Sequence, residues 1–334
     1  MKIEKKAVDP KRSGALTRRD FVKTVGGVAL AAGAAPLLAT TADAATKKPA
    51  AETAVTALYD SLSERQKKTI CFPFENELRH KINANWNITK PEIGGDFYTN
   101  DQRELIDTIL RGVTSEDGYE RFLRQMEDDD GGIGKDRVAI FGNPGADKFE
   151  WEMTGRHLTV RADGNSVGGM AFGGPIVYGH GEGNPEKNIF HYQTRKANEV
   201  FTALDGKQRK EALLEKAPRE NDVPIQGKGG AFNGIALGNL SADQKSLVES
   251  VLKVILAPYR KEDIDEALKV LEAGGGLDKL HMAFYQKGDL NDDKIWDIWR
   301  VEGPSFVWHF RGAPHVHSYV NIGRKTDGSR SLRL

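Results

Sequence analysis

Near its C-terminus the chain reads Gly312-Ala313-Pro314-His315-Val316-His317-Ser318-Tyr319. In an extended strand alternate side chains share a face, so His315 and His317 present two imidazoles side by side, a spacing that suits one metal ion. Two ligands do not make a site. The third candidate is His157, in Trp151-Glu152-Met153-Thr154-Gly155-Arg156-His157-Leu158-Thr159-Val160, where alternation turns the imidazole away from Leu158 and Val160. Three neutral imidazoles with a position left for water or substrate suit copper, zinc or iron, and ligand type alone does not choose among them. Such an ion acidifies water or polarises a carbonyl, and a redox-active one moves electrons. The pair alone also fits an exposed strand face that binds nothing.

Other residues are candidates for the surroundings of this site. The glycine-rich stretch 173–185 carries Tyr178 and His180, read as substrate-binding residues, with His180 also a candidate fourth ligand or proton carrier. The stretch matches neither a P-loop nor a dinucleotide fingerprint, so a pocket-lining loop is expected. Arg79 and Arg156 are candidates to hold an anionic substrate such as a small carboxylate, and Trp86 to line the pocket. Glu152, Glu182 and Glu302 fall near the proposed pocket elements, with Glu182 or Glu302 the candidate general base. His309 faces pocket or solvent, while His80, His191 and His281 default to surface or core positions. No Gly-x-Ser-x-Gly elbow is present. The single cysteine, Cys71, sits among Ile70, Phe72 and Phe74 and reads as a small core residue; alone it closes no intramolecular disulfide. The acidic run Asp128-Asp129-Asp130 lacks the alternating ligands of a calcium loop and reads as a solvated helix end.

The elements that must position these residues follow from periodicity. Four stretches, Ser63-Glu64-Arg65-Gln66, Thr99-Asn100-Asp101-Gln102, Asp205-Gly206-Lys207-Gln208 and Ser241-Ala242-Asp243-Gln244, place a capping oxygen three residues before a glutamine, the signature of a helix start. Helices are expected over 53–62, 115–127, 196–216, 242–259, 262–273 and 278–285. Strands are expected over 137–141, 148–153, 156–161, 167–172, 296–301, 305–310 and 316–322, with Thr154-Gly155 and Asp163-Gly164 as corners. Helices therefore flank two strand runs that are far apart in sequence. The economical arrangement is α+β: a single large domain in which both runs join one mixed or antiparallel sheet or barrel, which would bring His157 to His315 and His317.

The whole chain bounds the reading further. Its 334 residues are 39% hydrophobic and 29% charged, with a mean hydropathy of -0.52 and 36 glycines without a fixed period, as in a globular protein. Thr17-Arg18-Arg19-Asp20-Phe21-Val22-Lys23, an apolar run over 24–41 and Ala42-Asp43-Ala44 have the form of a twin-arginine export signal with its cleavage site. The expected divisions are a signal peptide over 1–44, a linker over 45–51, one domain over 52–325 and a tail over 326–334. The partners implied are the twin-arginine translocation machinery and a small-molecule substrate, in the periplasm or outside the cell. Removing residues 1–44 takes away 8 of the 48 Lys and Arg and 4 of the 48 Asp and Glu, leaving a formal charge near -4. That balance gives no footprint for nucleic acid, and no stable membrane insertion is expected after cleavage.

Arg79 with Trp86, Gln102, Gly118-Tyr119, the Gly155-Arg156-His157-Leu158-Thr159 block, Gly303-Pro304 and the terminal His315-x-His317, in that order, resemble the family called domain of unknown function 3500, DUF3500. The resemblance covers roughly residues 52–322 and implies one domain with a shared site including Arg79, Trp86, Arg156, His157, His315 and His317. Members usually follow the histidine pair with an Arg and an Asp-Tyr-Gly ending, whereas this chain runs Asn321-Ile322-Gly323-Arg324-Lys325. The family implies no settled reaction. The expectation is an exported metal-dependent enzyme, an oxidoreductase with copper ahead because the export route favours cytoplasmic loading. A zinc hydrolase and a periplasmic ligand-binding protein without turnover are the alternatives.

Overall fold

Alternation of apolar and polar side chains along the strands at 149–155, 158–162 and 298–303 gives the one large sheet two unlike faces. The computed structural model describes residues 50–324. The expected signal and the tail over 326–334 lie outside the described residues.

Eleven strands form the sheet: β1 (Cys71–Phe72), β2 (Arg137–Gly142), β3 (Phe149–Gly155), β4 (Leu158–Ala162), β5 (Ile176–His180), β6 (Leu213–Leu214), β7 (Ile235–Ala236), β8 (His281–Tyr285), β9 (Ile298–Gly303), β10 (Phe306–Arg311) and β11 (Val316–Ile322). Their order is β1-β2-β3-β4-β5-β11-β10-β9-β8-β6, with β7 also paired to β8. Pairing is antiparallel except at β1 with β2 and β6 with β8. The sheet is mixed and stays open, so the barrel alternative is not what forms. The β5 to β11 pair joins the two strand runs, and its register sets Gly179 opposite His317.

One face carries Trp151, Met153, Leu158, Val160, Tyr178, Val320, Trp308, Phe310 and Trp299, all in the main apolar core. Helices cover it: α1 (Ala50–Ser61), α2 (Glu64–Ile70), α3 (Asn100–Val113), α4 (Glu116–Asp130), α5 (Tyr192–Ala203), α6 (Gly206–Ala212), α7 (Ala242–Leu256) and α8 (Lys261–Ala273). All four expected capping boxes form, at Ser63, Thr99, Asp205 and Ser241. The box at Asp205 splits the single helix expected over 196–216 into α5 and α6.

The other face carries Glu150, Glu152, Thr154, Thr159, Arg161, Tyr319, His309, Arg300 and Glu302. Two irregular segments, 73–90 and 215–234, lie over it. The segment 73–90 is tied down by Arg161 Nη1 donating to the Arg79 carbonyl (2.8 Å), Trp86 Nε1 donating to Thr159 Oγ1 (3.2 Å) and the Ile88 amide donating to Thr154 Oγ1 (2.9 Å). The segment 215–234 is tied by Arg300 to the Asp222 carbonyl (2.8 Å) and by Asn321 to the Val223 carbonyl (2.9 Å).

Three local expectations are corrected. The stretch 167–172 is turn and a short 3-10 element over Ala171–Gly173, because Gly168 and Gly169 interrupt it and Phe172 takes a left-handed φ of 60°. The stretch 278–285 ends in β8 rather than forming a helix: a five-residue apolar run has no period of its own, and antiparallel pairing with β9 decides it. The middle of the glycine-rich stretch is β5, near the centre of the sheet. Gly179 is required there, since a Cβ would lie 2.3 Å from the Val316 carbonyl oxygen and 3.2 Å from the His157 Cβ. The helix expected over 53–62 is α1, which begins earlier, at Ala50.

Candidate metal centre

Strand β11 positions two of the three histidines. His317 pairs with Arg311 on β10 and Gly179 on β5, and His315 precedes it by two residues on the same side. His157 comes from the two-residue turn between β3 and β4, closed by the Gly155 and Leu158 pair. It is in the left-handed region with φ 60°, a conformation that costs a non-glycine residue about 1 kcal/mol. The surroundings over-determine it: its amide donates to the Ala84 carbonyl at 2.6 Å, and its ring is buried. Although the residue sits in the turn and not on β4, it keeps the parity that turns its ring away from Leu158 and Val160.

The three rings meet. Ring centroids lie 5.0 Å apart for His157 and His315, 4.8 Å for His157 and His317, and 4.8 Å for His315 and His317. One ring nitrogen from each lies within 4.8 Å of the others, the only such grouping of His, Cys, Asp and Glu among the described residues. The Nε2 atoms of His315 and His317 are 3.0 Å apart. Nitrogens bound tetrahedrally to one ion at zinc-like bond lengths stand about 3.3 Å apart, so the pair needs little adjustment.

Two carboxylates hold the rings from behind. His157 Nδ1 is 2.7 Å from Asp129 Oδ2, and His317 Nδ1 is 3.0 Å from Glu220 Oε1. Each contact uses Nδ1 and leaves Nε2 for an ion, the arrangement that fixes the tautomer and raises the basicity of a ligating imidazole. Asp129, near the end of α4, also accepts from Gln125 Nε2 (2.8 Å) and from the Gly181 amide (2.8 Å). Burial pushes its carboxyl up, but the hydrogen bonds from His157 and Gln125 outweigh that and hold it below the usual carboxylate range. Glu220 behaves likewise: burial raises it, the His317 hydrogen bond and the nearby charges lower it more, and the net shift is down. Arg311 stands at the rim, with Nε 3.2 Å from Glu220 Oε2 and Nη2 3.5 Å from His315 Nε2. Burial, followed by the neighbouring charges of His317, His157 and Arg311, brings His315 down to about 4. His317 is lowered too, by burial first. Both rings are therefore neutral near pH 7, the form that binds a metal.

A family model described as protein of unknown function (DUF3500) matches residues 44–327. The chain belongs to the DUF3500 family. No curated protein and no solved structure matches it.

The remaining candidate residues of this DUF3500 chain are dispersed. Arg79 is buried over β3, where Nη1 meets Glu150 Oε2 at 3.1 Å and Nε donates to the Phe74 carbonyl, away from the histidines. Trp86 packs with Ile88, Ala139 and Phe141. Tyr178 is wholly buried on the helix-covered face and donates to Gln193 Oε1. His180 follows the same alternation onto that face, so it is not beside the three rings as a fourth ligand. Glu302 shares the polar face, but it sits opposite Val307, four residues along β10 from Arg311, and accepts from Arg300 Nε at 2.9 Å. Glu182 accepts from the Asn184 amide at 2.7 Å. Arg156 is adjacent, but its guanidinium lies 3.4 Å from the Asp129 carbonyl and 3.7 Å from Asp130 Oδ1. The Cys71 thiol is pushed up to about 12 by burial, in keeping with a core residue.

Sequence reasoning missed Asp129, Glu220, Gln125 and Arg311. The acidic run was expected to be a solvated helix end, and the structure corrects this. The side chains of Asp128 and Asp130 remain 45% and 42% exposed, but the Asp129 carboxylate side chain is 3% exposed and faces His157.

Proposed function

We propose that this chain is an exported metal-dependent enzyme whose ion is held by His157, His315 and His317, and that it acts as an oxidoreductase on a small polar or anionic substrate. The observation that carries the reading is the pair of carboxylates, Asp129 and Glu220, each on the Nδ1 of a histidine whose other nitrogen faces the centre. Three unrelated imidazoles in contact would be an accident; two of them oriented from behind by separate elements fit a ligand set. When bound, the ion would supply an open coordination position for water, substrate or electron transfer. Arg311 at the rim offers a cation to an anionic substrate there.

Copper is preferred to hydrolytic zinc because, among the described residues, the carboxylates nearest the centre are each engaged elsewhere, which leaves no free general base for hydrolysis. Asp129 and Glu220 are occupied with imidazoles, Glu302 is paired with Arg300, and Glu182 caps its own loop. The test is metal analysis and electron spin resonance of the purified protein, beside a variant with His315→Ala and His317→Ala. Copper bound by the native protein and lost from the variant is expected. Spectroscopically silent zinc with the same histidine dependence would replace the oxidoreductase reading with a hydrolase. Metal content unaffected by the substitutions would reject the ligands themselves.

A further inference from the structure

Behind Asp129, on the side away from the three histidines, an open cleft of about 870 Å3 runs between the end of α4 and residues 180–189. Asp129, Arg156, His180, Lys187 and Asn188 are among its lining residues. His180 is 1% exposed, and its Nδ1 accepts from the Ile189 amide at 3.2 Å, so a neutral ring carries its proton on Nε2. That Nε2 has no hydrogen-bond partner: Asp128 Oδ2 lies 3.2 Å away but out of line for a hydrogen bond. A buried N–H that borders a cleft without completing a hydrogen bond to the one carboxylate near it points to a ligand that brings a better-placed acceptor.

The neighbouring charges specify what kind of acceptor. The Arg156 guanidinium is 42% exposed and weakly engaged, 3.7 Å from Asp130 Oδ1 and 3.4 Å from the Asp129 carbonyl. Of the four acids lining the cleft, Asp129 takes three donors, Glu182 accepts from the Asn184 amide and Asp128 stands 3.5 Å from Arg124 Nε, while Glu186 lies beside Lys187 in the sequence. The side chains nearest His180 and least engaged include the Arg156 guanidinium, a donor suited to a carboxylate.

The cleft and the metal centre share parts. Arg156 and His157 are the two residues of one turn, and Gln125 Nε2 donates both to the Arg156 carbonyl and to Asp129. Gly181 is wedged between the two sites, where a Cβ would lie 2.7 Å from Asp129 Oδ1 and 3.3 Å from both Arg156 Nη2 and His157 Cε1. We infer that this cleft binds a small carboxylate through Arg156 and His180, at a position distinct from the metal, and that the two sites are coupled through Asp129. The inference goes beyond the metal reading and fails separately from it.

The test is calorimetric titration of succinate into the full chain after its metal has been removed by chelation. Saturable binding is expected in the native protein and in the His315→Ala, His317→Ala variant alike. Arg156→Ala, a half-exposed position whose loss should not disturb folding, should weaken it by at least about tenfold, and His180→Gln by a similar factor. Metal affinity measured with and without saturating succinate should differ by about fivefold or more, as reciprocal coupling requires. Absence of succinate binding, or binding indifferent to Arg156, overturns the cleft; metal affinity indifferent to succinate overturns the coupling. Arg156-dependent binding in a protein that never takes up metal would uphold the cleft while removing the metal centre.

Discussion

The two faces of the sheet are built from the same strands and held by different physics. On β4, Leu158, Val160 and Ala162 enter an apolar core against helices, whereas Thr159 and Arg161 point at irregular segments and make polar contacts. The apolar face gains from burial, about 1.5–3 kcal/mol for each large side chain fully removed from water. The polar face holds its buried charges only because each is answered: Arg161 meets Glu150 and Glu152, and Arg79 meets Glu150. Cover by segments 73–90 and 215–234, which bring backbone carbonyls and Glu220, makes the polar face a place where a site can be assembled.

The largest test of this contrast is Arg161→Met. It leaves Glu150 and Glu152, both wholly buried, with Arg79 alone, and breaking such a group from one side typically costs about 3–5 kcal/mol. Burial pushes both glutamates up and Arg161 pulls them down, so the variant should also take up protons on folding near neutral pH. Urea unfolding at several pH values reads both effects. A loss under about 1 kcal/mol would show that the charges are not what secures this face.

Leu158→Ala probes the other face one residue from a metal ligand. Deleting a fully buried leucine should cost about 3 kcal/mol by cavity formation. Because the side chain points into the helix-covered core, metal content per folded molecule should be unchanged. A variant that stayed folded yet lost its metal would mean the two faces cannot be separated.

The contrast explains what could be read in advance. Capping boxes were legible because they are local: a hydroxyl or carboxylate and a glutamine three residues on satisfy each other whatever packs nearby. The histidine pair and the parity of His157 were legible because strand alternation is also local. Alternation would have put Tyr178 and His180 on the apolar face too, had Ile176–His180 been recognised as a strand beneath its flanking glycines. Asp129 was hidden by its neighbours: successive helical residues turn by about 100°, so only one of three aspartates meets the His157 ring, and their composition does not say which. Glu220 gave no signal, because residues 215–234 have no periodicity and their course is set by what they cover.

Those two carboxylates allow a finer division within the polar face. The Asp129 side chain is 3% exposed, sits on a helix and accepts three N–H groups, so Asp129→Asn introduces a donor where only acceptors fit and should weaken metal binding by about 100-fold, the upper end for a residue behind a metal ligand. Glu220 is 28% exposed and lies on an irregular segment. In Glu220→Gln the carbonyl oxygen can still accept from His317 Nδ1 and, at 3.4 Å, from the Tyr319 hydroxyl, leaving only the amide against Arg311. Solvent can screen that conflict and the segment can shift to relieve it, so the expected loss is about tenfold, with little change in unfolding free energy. Competition with a chelator of known affinity measures both. If Glu220→Gln proved the more damaging, the irregular cover would have to be as rigid as the helix, and the loosely framed side of the centre would be its anchor.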